Sequence, residues 1–129
     1  MGNSRKKIIL VDDNLTNLDI GRKLLSEFYQ VIPAMSAAKM FEILEHVIPD
    51  LILLDVRMPE MDGFEAIKKL KADGRFAGIP VIFLTAKSDG IDEREGLGLG
   101  AADYQSKPFD AAQLHQRIEE VLLSREDGL

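Results

Sequence analysis

The sequence has no cysteine among its 129 residues, which excludes disulfide bonds and thiolate metal sites. Long apolar runs are also absent: none exceeds five residues, whereas a membrane-spanning helix needs about 20. Positive charge is not in excess, and the net charge of −6 argues against a nucleic-acid-binding surface spread over the whole domain. No signal-peptide pattern precedes the first apolar run, so a cytoplasmic location is expected.

The remaining composition fits one folded domain. A length of 129 residues suits one domain with one core, and a hydrophobic fraction of 46% is too high for a disordered tail. No internal linker or low-complexity tract divides the chain, so residues 1–129 are predicted to form a single domain. The polar residues 124–129 are compatible with the start of a linker or tail.

Short apolar runs predict five strands. Residues 8–11, 51–54 and 81–84 are continuously apolar and are bounded by polar or turn residues, as buried strands are. Because they do not alternate with polar residues, both of their faces are expected to be covered, as in a parallel sheet. The more polar segments 29–34 and 102–106 are predicted to be edge strands.

Helical periodicity fills the intervals between these strands. The apolar stripes comprise Leu18, Gly21, Leu25 and Phe28 in the first helix, Met40, Phe41, Leu44 and Val47 in the second, Ile67 and Leu70 in the third, and Leu114, Ile118, Val121 and Leu122 in the fifth. The boundary signals are Ser36 and Pro49 for the second helix, Asp62 with Glu65 for the third, and Asp110 with Gln113 for the fifth. A weaker fourth helix is expected over residues 91–99, with Gly96 and Gly98 inside it and Gly100 as a cap beyond its end.

The alternation of strands and helices predicts an α/β fold with right-handed crossovers. With the three apolar strands inside and the other two at the edges, the five-stranded parallel sheet has the order 2-1-3-4-5. This is a doubly wound, flavodoxin-like sheet with helices on both faces. Its switch point lies between the first and third strands, and ligands of such sheets bind there, at the carboxyl ends of the strands.

Chemically useful residues follow these strand ends: Asp12, Asp13, Asp55, Thr85 and Lys107. One aspartate after the first strand would be enough to cap a helix, but two adjacent carboxylates repel each other. These residues would lie at the edge of the sheet where the strands end, here called the rim. Three carboxylates at this rim do not stay ionised without positive charge, and a single lysine cannot balance them. Oxygen ligands of this kind suit a hard divalent cation, Mg²⁺ or Mn²⁺.

The same rim has the parts for phosphoryl transfer. Lys107 can contact one phosphoryl oxygen, and Thr85 can donate a hydrogen bond to another. Asp55 is then placed to act as a nucleophile and to form an acyl phosphate. Phosphoryl transfer depends mainly on positioning and charge neutralisation, and these residues offer both.

Four stretches, "IILVDDN", "DLILLDVRMPEMDGFE", "PVIFLTA" and "GAADYQSKPF", resemble the receiver domain of two-component response regulators, in particular the chemotaxis regulators. The resemblance runs through nearly the whole chain. It implies that Asp12 and Asp13 hold Mg²⁺, partly through water, and that Asp55 also binds the metal. It further implies that Asp55 accepts a phosphoryl group from a phosphohistidine of a sensor histidine kinase or phosphotransfer domain.

The resemblance implies roles for further residues. The backbone carbonyl of Arg57 would bind the metal, and Thr85 and Lys107 would hold the phosphoryl group. Tyr104 would be the switch aromatic, whose ring moves inward when Thr85 shifts. The Lys107–Pro108 peptide is usually cis in relatives. The fourth helix, fifth strand and fifth helix would form a face for an output domain or a second copy, with no direct contact to nucleic acid or membrane.

The lifetime of the phosphoryl group is expected to depend on Arg57 and Lys87. In receivers, the side chains two positions after the acceptor and two after the threonine border the path of the attacking water. Both residues are long and basic here, and we expect them to obstruct that path, because Mg²⁺ and Lys107 already neutralise the phosphoryl group. Such a domain catalyses its own phosphorylation and dephosphorylation but acts in signalling rather than as a metabolic enzyme.

Three alternative functions share parts of this pattern. A haloacid-dehalogenase-type phosphatase also uses an aspartyl nucleophile, but it needs Asp-x-Asp where this chain has Asp12, Asp13 and Asn14. A flavodoxin-like binder needs a phosphate loop rich in Ser, Thr and Gly, whereas "DDNLTN" is acidic. The nearest alternative is a phosphate-independent pseudo-receiver that acts only as an interaction module. Loss of an acidic residue, Thr85 or Lys107 would favour it, and none is lost.

Two histidines and one turn are assigned no chemistry. His46 and His115 lie on predicted helices and are expected to be solvated or to pack, and not to donate a phosphoryl group. Residues 58–63 are predicted to form a turn that leads into the cap of the third helix.

Overall fold

Strands and helices alternate along the computed structural model, which describes residues 5–86, 93–107 and 110–127. The elements in chain order are β1 (Lys7–Val11), α1 (Leu15–Leu25), β2 (Gln30–Ala34), α2 (Ala37–Leu44), β3 (Leu51–Asp55), α3 (Gly63–Ala72), β4 (Val81–Ala86), α4 (Glu93–Gly98), β5 (Asp103–Lys107) and α5 (Ala111–Asp127). The first two residues of the predicted fourth helix, 91 and 92, lie outside the described ranges. Within those ranges, no helix has both the length and the hydropathy needed to cross a membrane.

The five strands form one parallel sheet in the order β2-β1-β3-β4-β5, which confirms the predicted topology. Val11 at the end of β1 lies opposite Leu54 of β3. Asp55 lies opposite Leu84 of β4, and Ala86 lies opposite Lys107 of β5. The carboxyl ends of β1, β3, β4 and β5 therefore reach the same edge of the sheet.

The sheet is buried on both faces, because alternate side chains of β1, β3 and β4 point to opposite sides. The side covered by α1 and α5 contains Ile8, Leu10, Leu51, Leu53, Ile82 and Leu84 from the strands and Leu18, Leu25, Leu114 and Ile118 from the helices. The side covered by α2 and α3 contains Ile9, Val11, Ile52, Leu54, Val81 and Phe83 from the strands and Met40, Leu44, Ile67 and Leu70 from the helices. This double burial explains why the three central strands are continuously apolar.

Polar side chains cap three helices at the predicted positions. The side chain of Ser36 accepts a hydrogen bond from an amide in the first turn of α2 at 3.0 Å. Asp62 and Glu65 form a reciprocal capping box on α3, with N–O distances of 2.9 and 3.0 Å. Asp110 accepts hydrogen bonds from two amides in the first turn of α5. Such caps each contribute about 1 kcal/mol, which is why they mark helix starts in the sequence.

Two residues of the predicted stripes lie outside their helices. α1 ends before Phe28, and the amides of Phe28 and Tyr29 both donate to the carbonyl of Leu25 in a turn that leads to β2. The ring of Phe28 instead stacks on His115 of α5, with 3.8 Å between the ring centroids. α2 likewise ends before Val47, where the amides of His46 and Val47 both donate to the carbonyl of Ile43 in a turn.

Candidate functional site

The buried polar side chains of the described residues are Asp12, Asp55 and Thr85, which expose 1%, 3% and 7% of their surface. Asp12 directly follows β1, Asp55 ends β3, and Thr85 is the last residue but one of β4. Lys107 ends β5 and completes the group. Burying a polar side chain costs free energy unless it is paired. Their concentration at one edge of the sheet therefore indicates a functional site.

Asp12 and Asp13 have different surroundings, and neither caps α1. Oδ1 of Asp12 accepts a hydrogen bond from the amide of Asn14 at 2.9 Å, whereas Asp13 is exposed. The N-cap of α1 is Asn14, whose side chain accepts the amide of Asn17 at 3.0 Å. Because a third residue provides the cap, both carboxylates are available at the rim.

The three aspartates lie close enough to share one cation. Asp12, Asp13 and Asp55 each offer a carboxylate oxygen, and these oxygens all lie within 4.8 Å of one another. Oδ1 of Asp55 is buried and accepts no hydrogen bond from the described residues. A buried acceptor without a donor costs free energy, and a cation bound through oxygen ligands would satisfy it. The side chains therefore fit Mg²⁺ or Mn²⁺.

Lys107 supplies the positive charge among these carboxylates. Its Nζ donates to Oδ2 of Asp12 at 2.9 Å and lies 3.3 Å from Oδ2 of Asp55. Burial by itself lowers the pKa of Lys107, but the hydrogen bond to Asp12 and the charge of Asp55 outweigh it, so the pKa is raised. Lys107 therefore remains an ammonium, and one ammonium does not balance three carboxylates.

The Asp55 carboxyl resists ionisation. Burial raises its pKa to about 7, and the Asp12 carboxylate adds to this effect, while the Lys107 ammonium opposes it. Near neutral pH, the carboxylate that a nucleophile requires is thus formed against a free-energy cost. A divalent cation at this rim would remove that cost.

Thr85 and Tyr104 lie next to this group. Leu84 pairs with Asp55 in the sheet, so Thr85 lies one residue closer to the rim than the partner of Asp55. Tyr104 belongs to the neighbouring strand β5, and its ring is buried against Phe83, with 5.4 Å between the ring centroids. The ring thus occupies an inner position in this structure.

Gly63 has a packing role at this edge that was not predicted from the sequence. The amide of Gly63 donates to the carbonyl of Val56 at 2.8 Å. A Cβ atom on Gly63 would lie 2.6 Å from the carbonyl oxygen of Asp55 and 2.9 Å from the Cα of Val56. The lack of a side chain therefore lets α3 begin directly against the end of β3. A glycine immediately after the N-cap of a helix was the signal in the sequence.

Other residues singled out in the sequence are not part of this group. Arg57 is exposed just beyond β3, and metal binding by its backbone carbonyl remains a prediction. Lys87 and Pro108 lie outside the described residues. His46 is exposed and His115 packs on an aromatic ring, in line with the expectation that they are solvated or packing residues.

Comparison with known proteins agrees with the fold. The chain is 39% identical over 116 residues to the response regulator PleD of Caulobacter vibrioides, covering 89% of this chain and 26% of that protein. It is 38% identical over 135 residues to a probable cyclic di-GMP phosphodiesterase of Vibrio cholerae, covering 98% of this chain and 31% of that protein. The chain thus spans less than a third of the length of these curated relatives.

A solved structure and a family model complete the comparison. The receiver domain of a sensor histidine kinase from Pseudomonas aeruginosa, solved with a magnesium ion in its active site cleft, matches with a TM-score of 0.83. The match has 29% identity and covers 92% of this chain and 98% of that one. The model of the response regulator receiver domain matches residues 8–119. The chain therefore belongs to the receiver domain family of the response regulators.

Proposed function

We propose that the domain accepts a phosphoryl group on Asp55 from a phosphohistidine, with Mg²⁺ bound by Asp12, Asp13, Asp55 and the backbone carbonyl of Arg57. The observation that carries this proposal is the setting of Asp55. Its carboxylate ends a fully buried strand, carries a buried oxygen that accepts no hydrogen bond from the described residues, and lies 3.3 Å from an ammonium. A solvated surface aspartate would have none of these features.

The reaction follows from these neighbours. An oxygen of the Asp55 carboxylate attacks the phosphorus, the P–N bond of the phosphohistidine breaks, and the imidazole leaves with the bonding electrons. The product is an acyl phosphate on Asp55. Lys107 is held at the rim by Asp12 and Asp55, so its ammonium needs only a small movement to contact a phosphoryl oxygen. The Thr85 hydroxyl donates to another phosphoryl oxygen.

Charge neutralisation would come from two positive groups, the cation and the Lys107 ammonium. Mg²⁺, when bound, neutralises the carboxylates and the incoming phosphoryl oxygens, which would otherwise repel each other. Asp12 accepts from Lys107 and would also hold the metal, so both positive charges would lie beside the same carboxylate. The aspartyl nucleophile then meets a phosphoryl group whose charge is already compensated.

Receiver domains interact with histidine kinases and output domains, and the relatives of this chain include a histidine kinase of Formosa agariphila. We propose a sensor kinase or a phosphotransfer domain as the phosphoryl donor. The face formed by α4, β5 and α5, with Tyr104, would pass the signal to an output domain or to a second copy. Residues 1–129 would act as one receiver domain. A linker or tail would begin within residues 124–129, although α5 continues to Asp127.

Incubation with acetyl phosphate and Mg²⁺, followed by intact-protein mass spectrometry, tests the proposal. We expect one phosphoryl adduct on the parent protein and on Asp19→Asn, which removes an exposed carboxylate of α1. Asp55→Asn should form none. An adduct that persists unchanged in Asp55→Asn refutes the assignment of the acceptor. No adduct on the parent protein would favour the phosphate-independent pseudo-receiver.

A further inference from the structure

Three aromatic rings form a row beneath the rim. Phe64 of α3 packs edge-on against Phe83 of β4, with 5.3 Å between centroids and 73° between planes. Phe83 in turn packs against Tyr104 of β5 at 5.4 Å and 49°. The central ring is fully buried. The row therefore connects the helix that begins beside Asp55 with the strand that carries Tyr104.

Gly96 of α4 lies directly against this row. A Cβ atom on Gly96 would lie 2.6 Å from Oη and 2.7 Å from Cε2 of Tyr104, and 3.0 Å from Cδ2 of Phe83. Carbon atoms in contact normally lie about 3.5–4.0 Å apart. Helix α4 and the inner position of the Tyr104 ring are thus compatible only because residue 96 has no side chain.

The backbone fixes Gly96 in this position. The amide of Ala101 donates to the carbonyl of Gly96 at 3.2 Å, and the amide of Gly100 donates to the carbonyl of Leu97 at 3.0 Å. With Gly100 at a φ of 105°, these bonds form a Schellman motif that closes α4. Residue 96 therefore cannot shift without opening the end of the helix.

We infer that Gly96 is the positioning residue that keeps the ring of Tyr104 inside, between α4 and Phe83. The meaning of this for signalling rests on the proposed function, in which Tyr104 is the switch aromatic. The position of the ring itself does not depend on phosphorylation.

The neighbours of Gly96 decide what an added methyl group would displace. Phe83 is fully buried in a central strand, where close packing restricts its movement. Tyr104 lies on the edge strand β5, and the atoms in conflict are at the far end of its side chain. Rotation about χ1 can therefore carry the ring outward. Gly96→Ala should shift Tyr104 from its inner to an outer position.

The test compares Gly96→Ala with Gly98→Ala. Both changes add one methyl group to α4, but a Cβ on Gly98 meets no atom within 4 Å. The chain has two tyrosines and no tryptophan, so fluorotyrosine labelling gives two ¹⁹F resonances, which Tyr29→Phe assigns. Gly96→Ala should move the Tyr104 resonance to the position of a solvent-exposed ring and leave that of Tyr29 in place. Gly98→Ala should move neither.

Two results would overturn the inference: an unchanged Tyr104 resonance in Gly96→Ala, or an equal shift in Gly98→Ala. If Gly96→Ala fails to fold, the same substitution is made together with Tyr104→Ala, which removes the ring. The methyl group should be tolerated there as well as in Gly98→Ala, because removal of the tyrosine ring also leaves Phe83, 3.0 Å from the added Cβ, space to move away. Equal loss of folding in both backgrounds refutes a role through Tyr104. All spectra are recorded without a phosphoryl donor. A parent protein that forms no acyl phosphate would therefore contradict the proposed function alone.

Discussion

Asp55→Asn should stabilise the protein when no divalent cation is bound. The parent carboxylate is buried, close to two other carboxylates, and has its pKa raised to about 7 chiefly by burial. The amide has nearly the same shape and no charge. In the parent protein Lys107 also donates to Asp12 at 2.9 Å, and the substitution leaves that partner in place, so we expect no unpaired buried ammonium.

The size of the gain follows from the pKa. A rise from about 4 to about 7 corresponds to roughly 4 kcal/mol of unfolding free energy. Solvent at the open rim screens part of this interaction, so we expect roughly 1–3 kcal/mol at neutral pH. For a domain of this length the gain equals an increase in Tm of about 3–12 °C.

The gain should depend on pH in one direction. Because the folded pKa of Asp55 is raised, the folded state binds this proton more tightly than the unfolded state. The contribution of this carboxyl to the unfolding free energy of the parent protein is therefore greatest below pH about 4, where it is neutral in both states. It loses this contribution as the pH rises through about 7, and Asp55→Asn does not.

Thermal unfolding in a chelator, followed by circular dichroism between pH 4 and 8, measures the difference. The two proteins should have similar Tm values at the acid end and diverge towards pH 8. Added Mg²⁺ should stabilise the parent protein and reduce the divergence, since a ligand of the folded state shifts the unfolding equilibrium. A variant less stable than the parent at pH 8 without metal, or a constant difference across the range, would show that Asp55 is not a destabilising buried anion.

Three further outcomes are expected. Gly63→Ala should lower the unfolding free energy by roughly 1–3 kcal/mol through overpacking against β3. Gly74→Ala should not, because its Cβ meets nothing within 4 Å. Urea unfolding that gives equal free energies for both variants contradicts the packing argument. Amides of α4 should exchange with deuterium faster than those of the other helices, because glycine in a helix costs about 0.5–1 kcal/mol, and equal protection would reject this. Arg57→Ala combined with Lys87→Ala should lose an acyl phosphate faster than the parent, with Mg²⁺ affinity little changed; decay at the parent rate or slower would show that these side chains do not obstruct water.

The sequence allowed most of the sheet to be predicted, because burial on both faces makes residues 51–54 and 81–84 continuously apolar. Given the strand order, the convergence of Asp12, Asp55 and Lys107 could be predicted, because the carboxyl ends of parallel strands lie at the same edge of the sheet. The distances between their side chains could not be predicted. The functional roles of the rim residues were assigned from the resemblance to receiver domains.

What the sequence did not predict depends on contacts between distant segments. Asp12, Asp13 and Asn14 are all competent caps, and only the structure shows that Asn14 is the one used. Phe28 has the correct spacing for the stripe of α1, but its ring packs on His115 instead. The close approach of Gly96 to Tyr104 involves two elements joined by a turn, so it leaves no periodic signal.

The contact between Lys107 and Asp12 has a thermodynamic consequence for the proposed function. The oxygen that accepts the ammonium at 2.9 Å belongs to a carboxylate that would also serve the cation. A cation bound at the rim would draw on the carboxylate that now accepts from Lys107, so it would weaken that contact and leave the ammonium more available to a phosphoryl group. By linkage, the phosphoryl donor must tighten Mg²⁺ binding by the same factor by which Mg²⁺ tightens donor binding. This chain would thus bind its two ligands cooperatively within a single site, with one lysine side chain as the coupling element.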